Sequence, residues 1–518
     1  MQRWGTLVVV VSAIFMLLID ITVVNVALPD IQTALGASFT QLQWVIDAYS
    51  LALATFVLNA GAVADLLGRK RVFIAGLIAF TASSILCGLA GSPEFLIGSR
   101  AVQGIGGSIM FATSLAILAQ EYTGRDRGVA FGAWGATAGA AVAVGPVVGG
   151  LLTTWIGWEW IFFVNGPIGV LAVFAAVRYL HESSDPDAAR LDWIGMITLA
   201  GTVFLVVYGL LRGNDNGWTS TSTLACFIGG ALLLVLFIIS QALQKRPMVD
   251  LTLFRRPAFV GAQTTAFLLS ASYFGLFLYL TLYLQNILGY SPLGAGLRLL
   301  PISVAAFVVA PASGRLSASV PVRLLMAGGL GMISIGVLLL TGISVSSGWT
   351  ALIAGFVISG IGLGLTNPPL ASTAIGVAPQ ARSGMASGIN NMFRQVGLAT
   401  GVAALGAVFQ SQVKDSLHSA LAGTLAARAS GSLSSAVSSG SVAGALQHVP
   451  ARARGQVEAA ATAAFVDGLT TLFWVCAALA ALGAVLALVL VRGSDFERHQ
   501  AGAERRAQHD RARVREPA

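Results

Sequence analysis

The sequence predicts an all-α integral membrane protein with fourteen transmembrane helices, and three observations support this fold class. The 518 residues are 56% hydrophobic and 10% charged, with a mean hydropathy of +0.81, whereas soluble domains carry roughly 25% charged residues. Continuous apolar runs reach the length of about 20 residues that a helix needs to cross a bilayer. Basic residues concentrate in alternate connecting segments. A soluble globular enzyme, a disordered chain and a nucleic-acid-binding protein are therefore excluded.

The apolar runs are about twice as long as the roughly ten-residue alternating segments of a transmembrane barrel, which favours helices. The first run contains Asp20 and exceeds the about 7–15 apolar residues of a signal peptide, so we expect an uncleaved first helix. The fourteen predicted helices, numbered in chain order, are 5–29, 42–64, 72–91, 95–120, 128–154, 159–180, 191–212, 223–244, 258–288, 297–316, 323–345, 351–373, 384–411 and 468–492.

The basic residues set the predicted orientation. With the N-terminus in the cytoplasm, most of the 30 Lys and Arg residues fall on the cytoplasmic side, as the positive-inside rule requires. Both termini are then cytoplasmic, and the net charge of +8 reflects topology and not a nucleic-acid partner. Residues 412–467, rich in Ser, Ala and Gly, are predicted to form a flexible extracellular loop. Residues 493–518 are predicted to form a basic tail near the inner leaflet.

The two ends of the chain resemble each other. Gly61–Arg71, between predicted helices 2 and 3, corresponds to Ser313–Arg323 between helices 10 and 11. Helices 1–6 therefore repeat as helices 9–14, with helices 7 and 8 inserted, and a parallel repeat of this kind is one architecture of secondary transporters. The predicted domains are an N-terminal six-helix bundle at 1–182, two inserted helices at 183–250, a C-terminal six-helix bundle at 251–492 that includes loop 412–467, and the tail at 493–518.

Five stretches together carry a family resemblance. They are Leu18–Pro29 in helix 1, the Gly61–Arg71 loop, Arg100–Gly107 in helix 4, the glycines from Gly132 to Gly150 in helix 5 with Trp158–Pro167 after them, and Leu282–Pro292 at the end of helix 9. In these stretches the chain resembles major facilitator superfamily transporters of the fourteen-helix drug:proton antiporter branch. The resemblance covers nearly all of residues 5–492.

The resemblance implies the major facilitator fold, with two six-helix bundles plus two inserted helices. It implies proton-driven export of small amphipathic compounds (antibiotics, drugs, dyes) by alternating access. The implied partners are a small-molecule substrate, protons and the lipid bilayer, and the implied location is multi-pass in the cell inner (plasma) membrane, as a monomer. High Ala, Gly and Arg usage favours a bacterial source. An importer or an exporter of endogenous metabolites on the same fold stays the alternative.

Ionisable residues inside the predicted helices are the first candidates for function, because burying them in a bilayer is costly. Asp20 and Arg100 both lie in the outer halves of their helices, so they could pair where helices 1 and 4 are neighbours. Either the pair is a static structural ion pair, or Asp20 takes up and releases a proton while Arg100 tunes it, as the resemblance implies. Asp47, near a helix end, is either a second coupling carboxylate or simply solvated. No histidine lies in a predicted helix, so carboxylates would have to carry the proton.

The loop between helices 2 and 3 is a candidate cytoplasmic gate. Asp65 ends helix 2, Gly68 permits a tight turn, and Arg69 is the nearest cationic partner for a buried carboxylate. The resemblance implies that this loop locks the two halves together, whereas the alternative is a positive-inside anchor only. The gate residues are Gly61, Asp65, Gly68, Arg69 and Arg71, joined by Glu121 or Asp126 from the end of helix 4.

Helix 5 carries a pattern of small residues with one proline. Small residues let helices approach closely and proline kinks a helix, so packing alone is a sufficient explanation for the glycines. The resemblance adds that this pattern marks antiporters, although Ala141 stands where the family pattern has Gly. The residues concerned are Gly132, Gly145, Pro146, Gly149 and Gly150.

Polar residues within the helices are candidates for a substrate cavity. Arg394 lies near the middle of helix 13, with Asn390 on the same face at i−4. It could meet an anionic substrate, a carboxylate of the other half, or backbone carbonyls. The cavity candidates are Asn25, Gln103, Gln285, Asn390 and Arg394.

Enzymatic and primary active transport functions are disfavoured. A phosphate-binding loop places Gly directly before Lys, but Arg69, Gln244 and Val413 precede the three lysines. No cluster of acid, base or metal-ligating residues of the kind that an active site needs is visible at one membrane face. We therefore expect no enzymatic activity, no cofactor and no metal site.

Overall fold

A computed structural model describes residues 2–37, 39–184, 192–244, 247–317, 319–379, 382–422, 433, 437 and 454–491. The regular secondary structure of the described part is helical, and this part contains no strand. Its long helices are α1 Gln2–Leu35, α2 Phe39–Leu67, α3 Arg69–Gly88, α4 Pro93–Glu121, α5 Gly124–Trp155, α6 Trp160–Tyr179, α7 Trp193–Asn216, α8 Thr221–Leu243, α9 Pro257–Ile287, α10 Pro292–Leu316, α11 Val322–Leu339, α12 Ile353–Gly376, α13 Ser383–Leu421 and α14 Arg454–Leu490.

Each predicted transmembrane segment coincides with one of these helices. Among the described residues, thirteen helices are long and apolar enough to cross a membrane. The remaining long helix, α5, has 32 residues. The number of membrane crossings therefore stays a prediction. The all-helical architecture is confirmed, and the helix boundaries in the N-terminal third lie close to the predicted ones.

Helix boundaries follow local capping chemistry. Ser92 accepts a hydrogen bond from the Phe95 amide and precedes a proline at the first position of α4. Ser291 caps α10 in the same way. Such side chains satisfy amide groups that the first helical turn leaves without partners. Between α2 and α3 the backbone of Gly68 has a φ of 105°, a conformation that glycine adopts without steric cost.

Two large apolar cores divide the molecule. One is formed mainly by α1–α6 and the other by α9–α14, as expected for two bundles that each bury their own helix faces. Ala371 and Ile375 of α12 also pack into the first core, so the bundles touch. Representative side chains of the first core are Leu17, Phe73, Phe80 and Phe131, and of the second Leu276, Phe356, Phe409 and Leu469.

A third core joins the α7–α8 pair to both bundles. Leu199 and Val203 of α7 pack with Leu58 of α2 and Ile389 of α13. Only 17% of the apolar stretch of α8 is buried, against 78% for α4. An apolar helix that the rest of the protein leaves uncovered is expected to face lipid.

The prediction of a flexible loop at 412–467 is wrong at both ends of that range. Helix α13 continues to Leu421, and α14 already begins at Arg454. Val413 and Leu417, one turn apart, are buried together with Val457 and other residues of α14, and Ser416 donates a 3.1 Å hydrogen bond to Asp467. Alanine, which is abundant in this range, has a high helix propensity. The packing of these side chains against α14 stabilises a helix here in place of the predicted loop. His418, expected in a loop, is therefore helical.

Helix α13 is consequently unusually long. Its 39 residues span about 58 Å, compared with about 30 Å of hydrocarbon in a bilayer. The predicted tail 493–518 and most of the segment between α13 and α14 lie outside the described residues.

Candidate functional site

Asp20 of α1 and Arg100 of α4 form the ion pair that the sequence suggested. Their exposed fractions are 2% and 1%, and the Arg100 Nη1 group bonds directly to Asp20 Oδ2. Gln103 Nε2 and Asn165 Nδ2 donate to Asp20 Oδ1 at 2.9 and 3.2 Å. Arg100 also donates to Gln103 Oε1 at 2.8 Å and, through Nε, to the Val45 carbonyl at 3.2 Å.

This network compensates the cost of burying two charges. A carboxylate in an apolar interior needs a cation and further hydrogen bonds, and Asp20 receives three donors. The Arg100 guanidinium lies 4.1 Å from the centre of the Tyr49 ring, a cation–π contact. A Cβ at Gly104 would overlap the Tyr49 carbonyl, so glycine at this position is what lets α4 lie against α2. Protonating Asp20 would remove the ion pair and leave Arg100 without its anion.

Asp47 is the other carboxylate that the sequence suggested for proton coupling. It lies half-buried in α2 near the same end as Val45. Its role in coupling therefore stays a prediction.

Asp65 joins the two bundles at the end of the molecule where α2 meets α3, which we call the Asp65 end. Arg69 donates to Asp65 Oδ1 through Nε at 3.0 Å and Nη2 at 2.8 Å, as predicted. The same carboxylate accepts the amides of Gly384 and Met385, the first turn of α13, at 3.0 and 2.8 Å. An anion is stabilised at a helix N-terminus by these free amides and by the helix dipole. Asp65 thus links α2 of one bundle to α13 of the other.

Two glycine contacts bring the bundles together at the Asp65 end. A Cβ at Gly61 would overlap the carbonyl of Gly384, so α2 and α13 cross backbone against backbone. Gly128 of α5 and Gly314 of α10 approach each other in the same way. The predicted repeat relates these two crossings, because the end of α2 corresponds to the end of α10 and the start of α13 to the start of α5. The Asp65 end is closed in this structure.

The remaining gate candidates contact other residues. Arg71 is 81% exposed at the side chain and pairs with Glu182 at 3.5 Å. Glu121 contacts His181 at 3.1 Å. Glu182, which the sequence analysis did not single out, accepts the amides of residues 70 and 71 at 3.1 and 3.3 Å and so caps the start of α3.

The glycines of α5 are packing positions on the face toward α1. A Cβ at Gly145 would overlap the Thr22 side chain, and one at Gly149 would lie 3.2 Å from the Val23 carbonyl. Thr22 also donates a 3.4 Å hydrogen bond to the carbonyl of Ala141, so the alanine found where the family pattern has glycine still permits the contact.

The opposite face of α5 meets α10 of the other bundle. A Cβ at Gly132 would lie 2.9 Å from the carbonyl of Ala310, and one at Gly150 would lie 3.8 Å from Leu293. Helix α5 is therefore packed between α1, which carries Asp20, and α10. The side chain of Pro146 lies outside the described residues.

Arg394 of α13 forms a separate central cluster. Its Nε donates to Asn390 at 3.3 Å and its Nη1 to Asn367 of α12 at 3.0 Å. Asn390 in turn donates to Gln263 of α9 at 3.2 Å. The guanidinium carbon is 5.8 Å from the centre of the Trp134 ring of α5. Two side-chain amides, and not a carboxylate or backbone carbonyls, are its hydrogen-bond partners in the described part of the chain.

The five cavity candidates do not form one site. Asn390 and Arg394 are together, but Gln103 belongs to the Asp20 network and Gln285 lies half-buried in a π-helical turn at the end of α9. The side chain of Asn25 lies outside the described residues. The sequence analysis missed Trp134, Gln263 and Asn367, and it named Asn165 only within a family stretch. For the three amide residues, a polar side chain inside an apolar run was the available signal.

Comparison with known proteins agrees with this architecture. The family description "Major Facilitator Superfamily" matches residues 10–402, which span both bundles. The chain belongs to the major facilitator superfamily. A solved structure of this fold, the human organic anion transporter MFSD10, superposes with a TM-score of 0.62 at 15% identity and covers 94% of this chain and 99% of its own.

Relatives of this major facilitator protein carry names of resistance and export proteins. The multidrug resistance protein Stp of Mycobacterium tuberculosis is 36% identical over 414 residues, covering 80% of this chain and 77% of Stp. The tetracenomycin C resistance and export protein of Streptomyces glaucescens is 29% identical over 508 residues, 96% of this chain and 93% of its own. The probable actinorhodin transporter of Streptomyces coelicolor is 34% identical over 420 residues, 79% and 72% of the two chains. The chain is a multi-pass membrane transporter of small molecules with bacterial relatives, and not an enzyme.

Proposed function

We propose that this protein is a proton-driven exporter of small amphipathic compounds, such as antibiotics, drugs and dyes, that works by alternating access. The observation that carries the proposal is the Asp20–Arg100 pair, a titratable carboxylate buried inside a membrane-spanning bundle and held by three donors. The names of the related resistance proteins support the substrate class. We further propose fourteen crossings in the inner (plasma) membrane, both termini in the cytoplasm, two bundles with 183–250 inserted, and a monomer.

Asp20 is the proton carrier in this proposal. When ionised it holds Arg100, Gln103 and Asn165 around it. When a proton binds, the carboxyl becomes neutral and its attraction to Arg100 is lost, while the guanidinium keeps the Tyr49 ring and the Val45 carbonyl as partners. Asp20 returns the proton to the other side when the ion pair re-forms.

The packing of α1 offers a route from Asp20 to the interface between the bundles. Thr22 and Val23, next to Asp20 on the same helix, pack on Gly145 and Gly149 of α5. The other face of α5 contacts α10. A shift of α1 on protonation therefore displaces a helix that takes part in closing the Asp65 end, and opening of that end requires α2 to leave α13 as well.

Transport in inverted membrane vesicles tests the proposal. With the lumen acidified, addition of a transported dye dissipates the proton gradient because protons leave as the dye enters. We expect dissipation with the wild-type protein and none with Asp20→Asn, at equal expression. Asp30→Asn, which changes an exposed carboxylate of the same helix, is the matched control and keeps wild-type dissipation.

Two outcomes would contradict the proposal. If no compound in a broad panel dissipates the gradient, the protein is not a proton-coupled drug exporter. If Asp20→Asn retains wild-type proton flux with the dye, the carrier is another group.

A further inference from the structure

We propose that Arg394 binds an anionic group of the transported compound, so that the preferred substrates are planar aromatic acids in their anionic form. This inference rests on the proposed export function and names its substrate class. The central site consists of Arg394, Asn390, Asn367, Gln263 and Trp134.

Arg394 differs from Arg100 and Arg69 in having no carboxylate partner among the residues that the structure describes. Arg100 is paired with Asp20 and Arg69 with Asp65. Arg394 is bonded to two amide oxygens, and its Nη2 group has no hydrogen-bond partner in the described part of the chain. A guanidinium inside a membrane protein without a counter-charge is costly and marks a binding function.

Arg394 lies inside the protein, between the two bundles. Its side chain is partly buried, and the Nη2 atom is itself inaccessible to solvent. A second donor points to the same kind of ligand: Gln263 is 1% exposed, and its Nε2 has no partner among the described residues. Buried donors without partners are rare in proteins. Two of them in one cluster favour a ligand rich in acceptor oxygens.

The wall opposite Arg394 is aromatic and comes from the other bundle. The Trp134 ring stacks on Phe111 with centroids 5.6 Å apart, and its Nε1 donates to Ser114 at 3.1 Å, which fixes the ring. A Cβ at Gly135 would lie 3.2 Å from the Cβ of Asn367, so this wall directly adjoins the arginine cluster. The Trp134 ring is 3% exposed here, so a planar aromatic ring would stack on it once the bundles separate, while its anionic group reaches the guanidinium.

A cationic compound does not fit this cluster. The contacts of Arg394, Asn390, Asn367 and Gln263 include no Asp or Glu in the described structure. A cation would therefore meet the guanidinium without compensation, and like charges in contact repel strongly at the effective dielectric of a protein site.

Two dyes with the same xanthene ring system test the proposal by binding alone. The purified full-length protein in detergent is titrated at pH 8 into fluorescein, which is anionic, or rhodamine 123, which is cationic, and fluorescence anisotropy reports binding. We expect fluorescein to bind at least tenfold more tightly than rhodamine 123. Arg394→Gln should weaken fluorescein binding at least tenfold and leave rhodamine binding unchanged, and Arg394→Lys should restore part of the preference.

Arg298→Gln is the matched control. Its guanidinium lies 3.4 Å from the Tyr290 ring and 5.4 Å from the Trp349 ring, away from the central cluster, so the variant should bind fluorescein as the wild type does. The proposal is overturned if rhodamine 123 binds as tightly as fluorescein, if neither dye binds, or if Arg394→Gln weakens both dyes equally. Binding is measured without a proton gradient. If the protein shows no proton-coupled transport but still prefers the anionic dye, the proposed function is rejected and this inference stands.

Discussion

Three arginines within the helical bundle differ in what compensates their charge. Arg100 and Arg69 each have a carboxylate and further acceptors, and both are 1% exposed. Arg394 has side-chain amides and an aromatic ring instead. A buried ion pair holds helices in register but is costly to break, because the remaining partner keeps its charge. In the proposed mechanism Arg69 holds helices together, Arg100 responds to the charge on Asp20, and Arg394 receives a ligand.

Asp65→Ala should be strongly destabilising. It leaves Arg69 buried without its anion and removes the acceptor for the amides of Gly384 and Met385. Loss of one partner of a buried pair costs about 3–5 kcal/mol, so the thermal midpoint in detergent should fall clearly. Arg71→Gln, at an exposed pair, is the control and should leave the midpoint unchanged. Equal midpoints for Asp65→Ala and wild type would show that the Asp65 link contributes no stability.

At the scale of elements, α7 attaches the inserted pair to both bundles. Asn59 of α2 donates to the Met196 carbonyl at 3.0 Å, beside the apolar contacts to α13. Asp192, at the N-cap of α7, holds α8 by accepting from Gln241 and, at 2.9 Å, from Gln244. The position of α8 therefore depends on one carboxylate as well as on apolar packing.

Acid should loosen the α7–α8 pair. Burial of Asp192 raises its pKa, but hydrogen bonds from Gln241, Gln244 and the Gly195 and Met248 amides outweigh burial and hold the pKa below its ordinary value. The ionised form is thus favoured in the folded state, and its stabilisation is present above about pH 4 and lost as the pH falls further. Asp192→Ala should lower stability by about 1 kcal/mol at pH 6, the cost of a lost N-cap.

Hydrogen exchange at the start of α7 measures this effect. Between pH 6 and pH 3, the wild type should lose protection there relative to the rest of α7, whereas Asp192→Asn, which keeps an N-cap acceptor, should lose no additional protection with acid. An unchanged acid response in Asp192→Asn would assign the effect to another group.

At the scale of the whole molecule, closure of the Asp65 end depends on two crossings between the bundles. The α2–α13 crossing has the Asp65 link, whereas the α5–α10 crossing is a contact between Gly128 and Gly314. Both contacts have to separate if the central site is to open toward this end. Alternating access predicts that separation.

Gly128→Ala should shift the molecule toward opening at the Asp65 end. The new methyl group would overlap the Gly314 backbone, whereas alanine inside a helix otherwise costs nothing relative to glycine. With the native cysteines replaced, a Ser383→Cys reporter, 1% exposed in the closed structure, should react several-fold faster with a hydrophilic maleimide. Gly98→Ala, where a methyl group meets open space, should leave the rate unchanged, and an equal rate in both variants would refute this account of closure.

The sequence by itself determined the all-helical membrane architecture, the boundaries of most helices, and two ion pairs. The helices follow from apolar runs that are long enough to cross a membrane. The ion pairs follow from the few charged residues in those runs, because a charge in lipid is costly and indicates a function or a partner. Asp20, Arg100, Asp65 and Arg69 were identifiable because a buried charge needs a partner and few candidates existed.

The tertiary structure alone decided which residues share a site. The α13 amides that Asp65 binds are more than 300 positions away in sequence, and Trp134 approaches Arg394 only because glycines let α5 pack against the other bundle. It also decided that residues 412–421 and 454–467 are helical, because the packing of Val413 and Leu417 against α14 is a contact between distant segments. Such contacts depend on how helices cross, and composition and spacing do not contain that information.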